Sequence, residues 1–278
     1  MRDDIICWWS GGVTSAVACH LTIQLFGLDR CRFIMIDTKN EHPDTYRFKK
    51  DCEEWYGKEI EIITAVGEGK KYADIQDVWF TRMSLNVATG AICSSELKRQ
   101  VRVDFEKKNP YCHQVFGFDC DEPNRAKNLK NNNPKTKPIF PLLLYWMSKK
   151  ECIKVLEEAN IEVPIAYKEG FTNNNCYQTG CVQGGIGYWQ KIKREQPDKW
   201  EAMAKVEHEL TDLKGEPVTC LKDQSNEAKI SGLFKVFLKP HPDYPEYKDL
   251  SMMKGREPEP LAECNGFCGI QGNLFNQF

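Results

Sequence analysis

Over residues 1–65, short apolar runs alternate with longer segments of helical spacing. Ile5-Ile6-Cys7-Trp8-Trp9 is apolar throughout and bounded by charge and by Ser-Gly-Gly, the pattern of a strand buried on both faces. Val13, Ala16, Val17, His20, Leu21 and Gln24 then recur at helical spacing up to Gly27, a residue type that stops helices. Phe33-Ile34-Met35-Ile36 reads as a second buried strand closed by Asp37. Asp44 to Tyr56 reads as a helix stopped by Gly57, and Glu59 to Thr64 as a third strand. This β-α-β-α-β order predicts parallel strands joined by right-handed crossovers.

Beyond that point the pattern predicts helices over Ala73–Phe80 and Cys93–Lys107 and a strand over Gln114–Phe118. Ser148-Lys149-Lys150-Glu151 has the spacing of a capping box and opens a helix to about Ala159. Lys127–Lys137, rich in Asn and containing Pro134, is expected to be a mobile loop, and Pro197 to about Leu213 a helix. From Glu169 onward the chain shifts to Gly, Asn, Cys and aromatic residues. We therefore expect a doubly wound parallel α/β sheet of about five strands over residues 1–165, with a Cys/Gly-rich region, 166–278, folded over its carboxyl edge.

Composition narrows the class. The 278 residues are 41% hydrophobic and 28% charged, with a formal net charge of −2, so a nucleic-acid partner would need a local basic patch. The charged start Met1–Asp4 and the shortness of the apolar run after it predict a soluble cytoplasmic protein without leader or membrane span. In that setting the 13 cysteines point to free thiols or a metal centre more than to disulfides.

Ser10-Gly11-Gly12-Val13-Thr14-Ser15 lies between a strand and a helix start. Glycines there let backbone amides turn toward an anion, with Ser and Thr hydroxyls and the helix dipole adding to the attraction. A plain turn with Thr14 or Ser15 capping the helix is the alternative. Asp37, with Thr38 beside it, closes the second strand where ligands of open sheets bind. It would hold a ribose or substrate hydroxyl or Mg2+, or else be a solvent-exposed strand end. Lys98, Arg99 and Arg102 follow Cys93. Lys98 and Arg102, four apart, would grip phosphate or sulfate or form a solvated basic face. Asp121, Glu122 and Arg125 would orient a substrate amine, hydroxyl or anion, or cap the next helix. Cys176 with Cys181, and Cys264 with Cys268, sit in Gly- and Asn-rich stretches that suit thiolate ligands, zinc or iron–sulfur. Tyr188 through Lys205 interleaves aromatic and basic residues. It would contact nucleic acid or, the reading we prefer, anchor a helix through its tryptophans.

Taken together these segments resemble a known family. Ser10–Ser15 looks like the PP-loop of the adenine nucleotide α-hydrolase superfamily. Asp37-Thr38-Lys39-Asn40-Glu41-His42-Pro43-Asp44-Thr45 resembles the D-T-x-x-E-x-P-x-T segment of the phosphoadenosine phosphosulfate reductase family. Cys93–Lys98, Gly117–Arg125 and Asn175–Cys181 follow in the family's order. The resemblance implies an enzyme that binds ATP or an adenylyl sulfate-type nucleotide, with Mg2+, for sulfur-related or adenylation chemistry. It also implies Cys93, Cys176 and Cys181 as ligands of a 4Fe-4S cluster or zinc, with Cys264 or Cys268 as the fourth. In a reductase, Cys264 or Cys268 would be the nucleophile and a thioredoxin-like protein the reductant. Glu263-Cys264-Asn265-Gly266-Phe267-Cys268 departs from the reductase Glu-Cys-Gly-x-His pattern, and the full Ser-Gly-Gly-x-x-Ser loop is typical of ATP-cleaving relatives. Both features point toward ATP-dependent activation with a sulfur donor. The alternative expectation is a nucleic-acid-modifying (tRNA or DNA thiolation) or defence-associated protein with a regulatory nucleotide site. Assembly into a homo-oligomer is compatible with either.

Overall fold

The computed structural model describes residues 4–87, 90–109, 111, 113–174 and 176–258. Its centre is a five-stranded sheet in the order Ile60–Ile63, Cys31–Ile36, Ile5–Trp8, His113–Val115, Pro138–Ile139, and every pairing in it is parallel. Cys7 stands opposite Phe33 on one side and Val115 on the other, so the opening strand occupies the middle. The first three strands step outward in one direction and the next two in the other. The carboxyl end of Ile5–Trp8 is therefore the point at which the topology reverses.

Strand side chains alternate between two cores. Ile5, Cys7, Phe33 and Met35 pack with Val13, Val17, Phe48 and Cys52 of the helices Val13–Phe26 and Pro43–Tyr56, and with Cys152 and Leu156 of Lys149–Glu158. Ile6, Trp8 and Ile34 point the other way, onto Phe116, Phe118, Ala126 and Leu129. Helices thus cover both faces, as expected for a doubly wound sheet, and the strands are apolar along their length for that reason. The Ser148 capping box forms, with Ser148 and Glu151 each bonding the other's backbone or hydroxyl.

One expectation is corrected. Of the expected loop Lys127–Lys137, residues 127–132 belong to a helix, Pro123–Asn132, which is followed by the short 3-10 turn Pro134–Thr136. Ala126 and Leu129, three apart, are buried on the sheet, and Pro123 starts the helix where a proline is tolerated. Burial of that narrow stripe outweighs the poor helix propensity of the asparagines.

A third core joins Val66–Leu97 to Ala166–Leu250 and contains Trp79, Trp189 and Trp200. A small sheet, in the order Lys248–Asp249, Lys235–Phe237, Leu221–Lys222, borders it. Glu207, fully buried on the helix Pro197–Lys214, ties helix to sheet: its carboxylate accepts the backbone N–H groups of Cys220 and Leu238, each at 2.7 Å. Burial pushes its carboxyl up to about 8 against the pull of those two donors. Replacing Glu207 with Ala leaves two buried N–H groups without an acceptor. We expect a loss of roughly 2–5 kcal/mol, read as a lower denaturant midpoint.

Candidate active site

The loop Ser10–Ser15 leaves the sheet at the topological reversal. Gly11 has φ +86°, in the left-handed region, and a Cβ there would lie 2.9 Å from the Thr45 methyl, so glycine alone fits without strain. The Ser15 hydroxyl organises the turn: it donates to the Gly12 carbonyl at 2.8 Å and accepts from the Ser10 amide at 3.1 Å and the Ser10 hydroxyl at 3.0 Å. Gly12, at the N-cap, has no side chain to cap the helix that begins at Val13; the Tyr167 hydroxyl accepts the Val13 N–H at 3.3 Å, and the first turn carries no acidic residue to oppose an anion. The neighbouring strand end fixes the loop's position. Gly117 meets it backbone to backbone, and a Cβ on Gly117 would sit 2.7 Å from both the nitrogen and the Cα of Ser15.

Asp37 is buried rather than a solvent-exposed strand end. Its carboxylate accepts the Lys39 amide at 2.7 Å and the Tyr46 hydroxyl at 3.0 Å, and pairs with the Lys39 ammonium at 2.9 Å. Burial, and next the charge of Asp37, hold the Tyr46 phenol above its ordinary value. Thr38 donates to Glu41 at 2.9 Å, and the buried Glu41 carboxylate lies 3.8 Å from the equally buried Lys98 ammonium. Lys98 sits in a π-helical turn, Ser95–Arg99, inside an otherwise α-helical stretch. The wider turn re-aims side chains within a helix, and such turns recur at functional sites.

Residues 172–174 and 176–183 close over this edge. Asn174 donates to the Gly11 carbonyl at 2.9 Å and to the Thr45 hydroxyl at 3.0 Å. The Asn40 carbonyl accepts the amides of Tyr177 and Gln178, while the Asn40 side chain donates to Thr179 at 2.8 Å. Lys149 donates to the Thr172 carbonyl at 3.0 Å and also to the Asn173 side-chain oxygen. Among the described residues the buried Asn173 amide nitrogen has no hydrogen-bond partner; Asn173 lines a small pocket with Phe171, Cys176 and Tyr188. The sequence singled out neither asparagine, nor Glu41 or Tyr46, as site residues. Nothing in their own segments shows which distant groups they meet.

Other sequence candidates are placed differently. Arg99 is exposed, and Arg102 is buried and paired with Glu106. Arg125 pairs with Glu122 at the start of Pro123–Asn132 and lies over the Phe118 ring at 4.7 Å, while Asp121 is exposed. Asp119, buried, accepts the Asp121 amide at 3.0 Å, and burial, then Glu122, raises its carboxyl. Cys93, Cys176 and Cys181 come from separate segments into the third core, where Cys220, unforeseen from sequence, joins them. The Tyr188 hydroxyl accepts the Cys181 amide at 3.0 Å, and burial, then the neighbouring Cys181, holds its phenol above the ordinary value. Tyr188, Trp189 and Trp200 are buried, so this stretch anchors helices. Cys264 and Cys268 lie outside the described residues.

The tightness of the Gly117 contact gives a direct test. Gly117→Ala must push the start of the helix Val13–Phe26 off the neighbouring strand. We expect a loss of about 1–3 kcal/mol in stability, with nucleotide binding weakened at least tenfold in calorimetric titration.

A family model described as Phosphoadenosine phosphosulfate reductase domain matches residues 4–86, the segment holding the loop, Asp37 and the first three strands. No curated protein matches the chain. Family members are enzymes that bind an adenine nucleotide. With the parallel sheet and the glycine loop at its reversal point, the match supports a likeness of residues 4–86 to the phosphoadenosine phosphosulfate reductase-like family of the PP-loop superfamily.

Proposed function

We propose that this protein is an ATP-using PP-loop enzyme that activates its substrate as an adenylate for sulfur-related chemistry. The observation that carries the reading is the glycine turn Gly11–Gly12 and the acid-free helix start behind it, held against Gly117 at the reversal point of the sheet. Backbone amides of the loop would bind phosphate oxygens, on a turn held by the Ser10 and Ser15 hydroxyls. A substrate oxygen would attack the α-phosphorus. The new P–O bond forms as the bond to the bridging oxygen breaks, and its electron pair leaves with pyrophosphate. Catalysis here is chiefly positioning and charge neutralisation.

Lys39 and Lys98 lie at the same edge and would balance the growing charge on the leaving group. The carboxylates do not suit Mg2+ as they stand: Asp37 is bound by Lys39 and Tyr46, and Glu41 by Thr38 with Lys98 nearby. We therefore derive no step through that ion. Thiolates are soft ligands, and Cys93, Cys176 and Cys181 are buried in the same core, although among the described residues the group whose ligand atoms lie within metal-binding reach of one another is Asp212, His241 and Asp243. The three thiols would hold an iron–sulfur cluster or zinc; such a cluster would supply sulfur transfer or electrons to the activated substrate.

Two experiments test this reading. Ser15→Ala removes the hydroxyl at the hub of the loop. It should weaken ATP binding roughly tenfold and depress ATP–pyrophosphate exchange by at least as much, whereas unchanged binding places the nucleotide elsewhere. Protein purified without air should carry iron and acid-labile sulfide, or zinc. The double variant Cys176→Ser, Cys181→Ser should lose that metal. A metal-free wild-type protein would make these cysteines plain core thiols.

A further inference from the structure

Residues 123–150 contain neither Asp nor Glu, although the whole chain is close to charge balance at −2. The positive charge of this segment is displayed rather than neutralised. Lys127 and Lys130 stand three residues apart on the exposed side of the helix Pro123–Asn132, opposite the buried Ala126 and Leu129. Lys130 and Lys137 line one groove of about 470 Å³ with His113, Asn131 and Pro134, and Lys135 is exposed next to it. Among the described residues, none of Lys127, Lys130, Lys135 and Lys137 forms an ion pair, whereas Arg125, nearer the site, is committed to Glu122.

The other end of this track is aromatic. Tyr145 and Trp146 are 51% and 66% exposed, and Trp146 is held at φ +53°, a left-handed conformation that a bulky residue rarely adopts. The Cys120 amide donates to the Met147 carbonyl at 2.9 Å, which sets this aromatic turn beside the Asp119–Glu122 turn from which the lysine helix starts. Two outward-facing rings and a line of unpaired lysines therefore run from the carboxyl edge of the sheet down its flank.

We propose that this flank binds single-stranded nucleic acid, with Tyr145 and Trp146 stacking on bases and Lys127, Lys130 and Lys137 meeting successive phosphates. Lysines one helical turn apart lie about 4.5–5 Å from each other along the axis, a spacing that a flexible phosphate backbone follows. An anionic membrane would engage Trp146 and its neighbour Leu144, but not the concave groove between Lys130 and Lys137. The inference rests on charge and exposure alone and does not depend on what the PP-loop holds.

The test is fluorescence anisotropy of the full chain with a short labelled single-stranded oligonucleotide, as DNA and as RNA, over a range of salt. The wild-type protein should bind with strong salt dependence. The triple variant Lys127→Ala, Lys130→Ala, Lys137→Ala should flatten the slope of log affinity against log salt by about 2. Trp146→Ala should weaken binding roughly fivefold or more at every salt concentration and leave the slope unchanged. Ser10→Ala, at the nucleotide loop, should bind the oligonucleotide as the wild type does. Circular dichroism melts should show all the variants folded, since every substituted residue in the track is exposed. The proposal falls if the wild-type protein does not bind at low salt, if the triple variant and Trp146→Ala both bind normally, or if Ser10→Ala abolishes binding. It also falls if the protein takes up phosphatidylserine vesicles but not the oligonucleotide, which would make the flank a membrane surface.

Discussion

The site depends on one backbone contact. Where the sheet reverses its winding, Gly117 and the Ser15 backbone approach so closely that no Cβ fits between them. That contact presses the start of the helix Val13–Phe26 onto the neighbouring strand end, leaving the Ser10–Gly12 turn little freedom. An anion site made of backbone dipoles is only as good as its preorganisation, because amides that must reorient toward a ligand lose much of the energy they would give. Here the glycines supply the close approach, and the Ser15 hydroxyl, with its three bonds inside the turn, supplies the rigidity.

A second layer is built on that contact by chain far away in sequence. Residues 172–174 and 176–183 close the edge through polar bonds, chiefly Asn174 to Gly11 and Asn40 to the Tyr177–Thr179 turn, while Cys176, Cys181 and Val182 anchor the segment in the third core. Beneath the cover, Lys39 and Lys98 are each matched to a carboxylate, so the site holds its charges in balance before any nucleotide arrives. An incoming phosphate group would compete for those two lysines with Asp37 and Glu41.

The same arrangement separates chemistry from contact with larger molecules. Charged groups near the loop are paired, Lys39 with Asp37 and Lys98 with Glu41, whereas the lysines of Pro123–Asn132 and the turn after Pro134 form no ion pair among the described residues. The cysteines occupy a third place, the core shared by Val66–Leu97 and the C-terminal region, where burial rather than exposed loops surrounds them.

Much of this was legible in the residues themselves. The apolar runs at Ile5–Trp9 and Phe33–Ile36 and the punctuation at Gly27 and Gly57 are local signals, and they give the strands, the helices and the place of the phosphate loop. The helix Pro123–Asn132 was hidden because two buried positions, Ala126 and Leu129, decide it against an asparagine-rich background. The roles of Asn173, Asn174, Glu41 and Cys220 were hidden for another reason: Asn174 meets Gly11 across 163 residues, and no periodicity carries such a pairing. Local pattern thus determined which segments are strand, helix and glycine turn, since these follow from side-chain spacing and backbone freedom. Only the tertiary structure decided that Asp37 is buried, that the Tyr188 stretch anchors while Trp146 faces outward, and which residues close the site, because each of these depends on what distant chain packs against it.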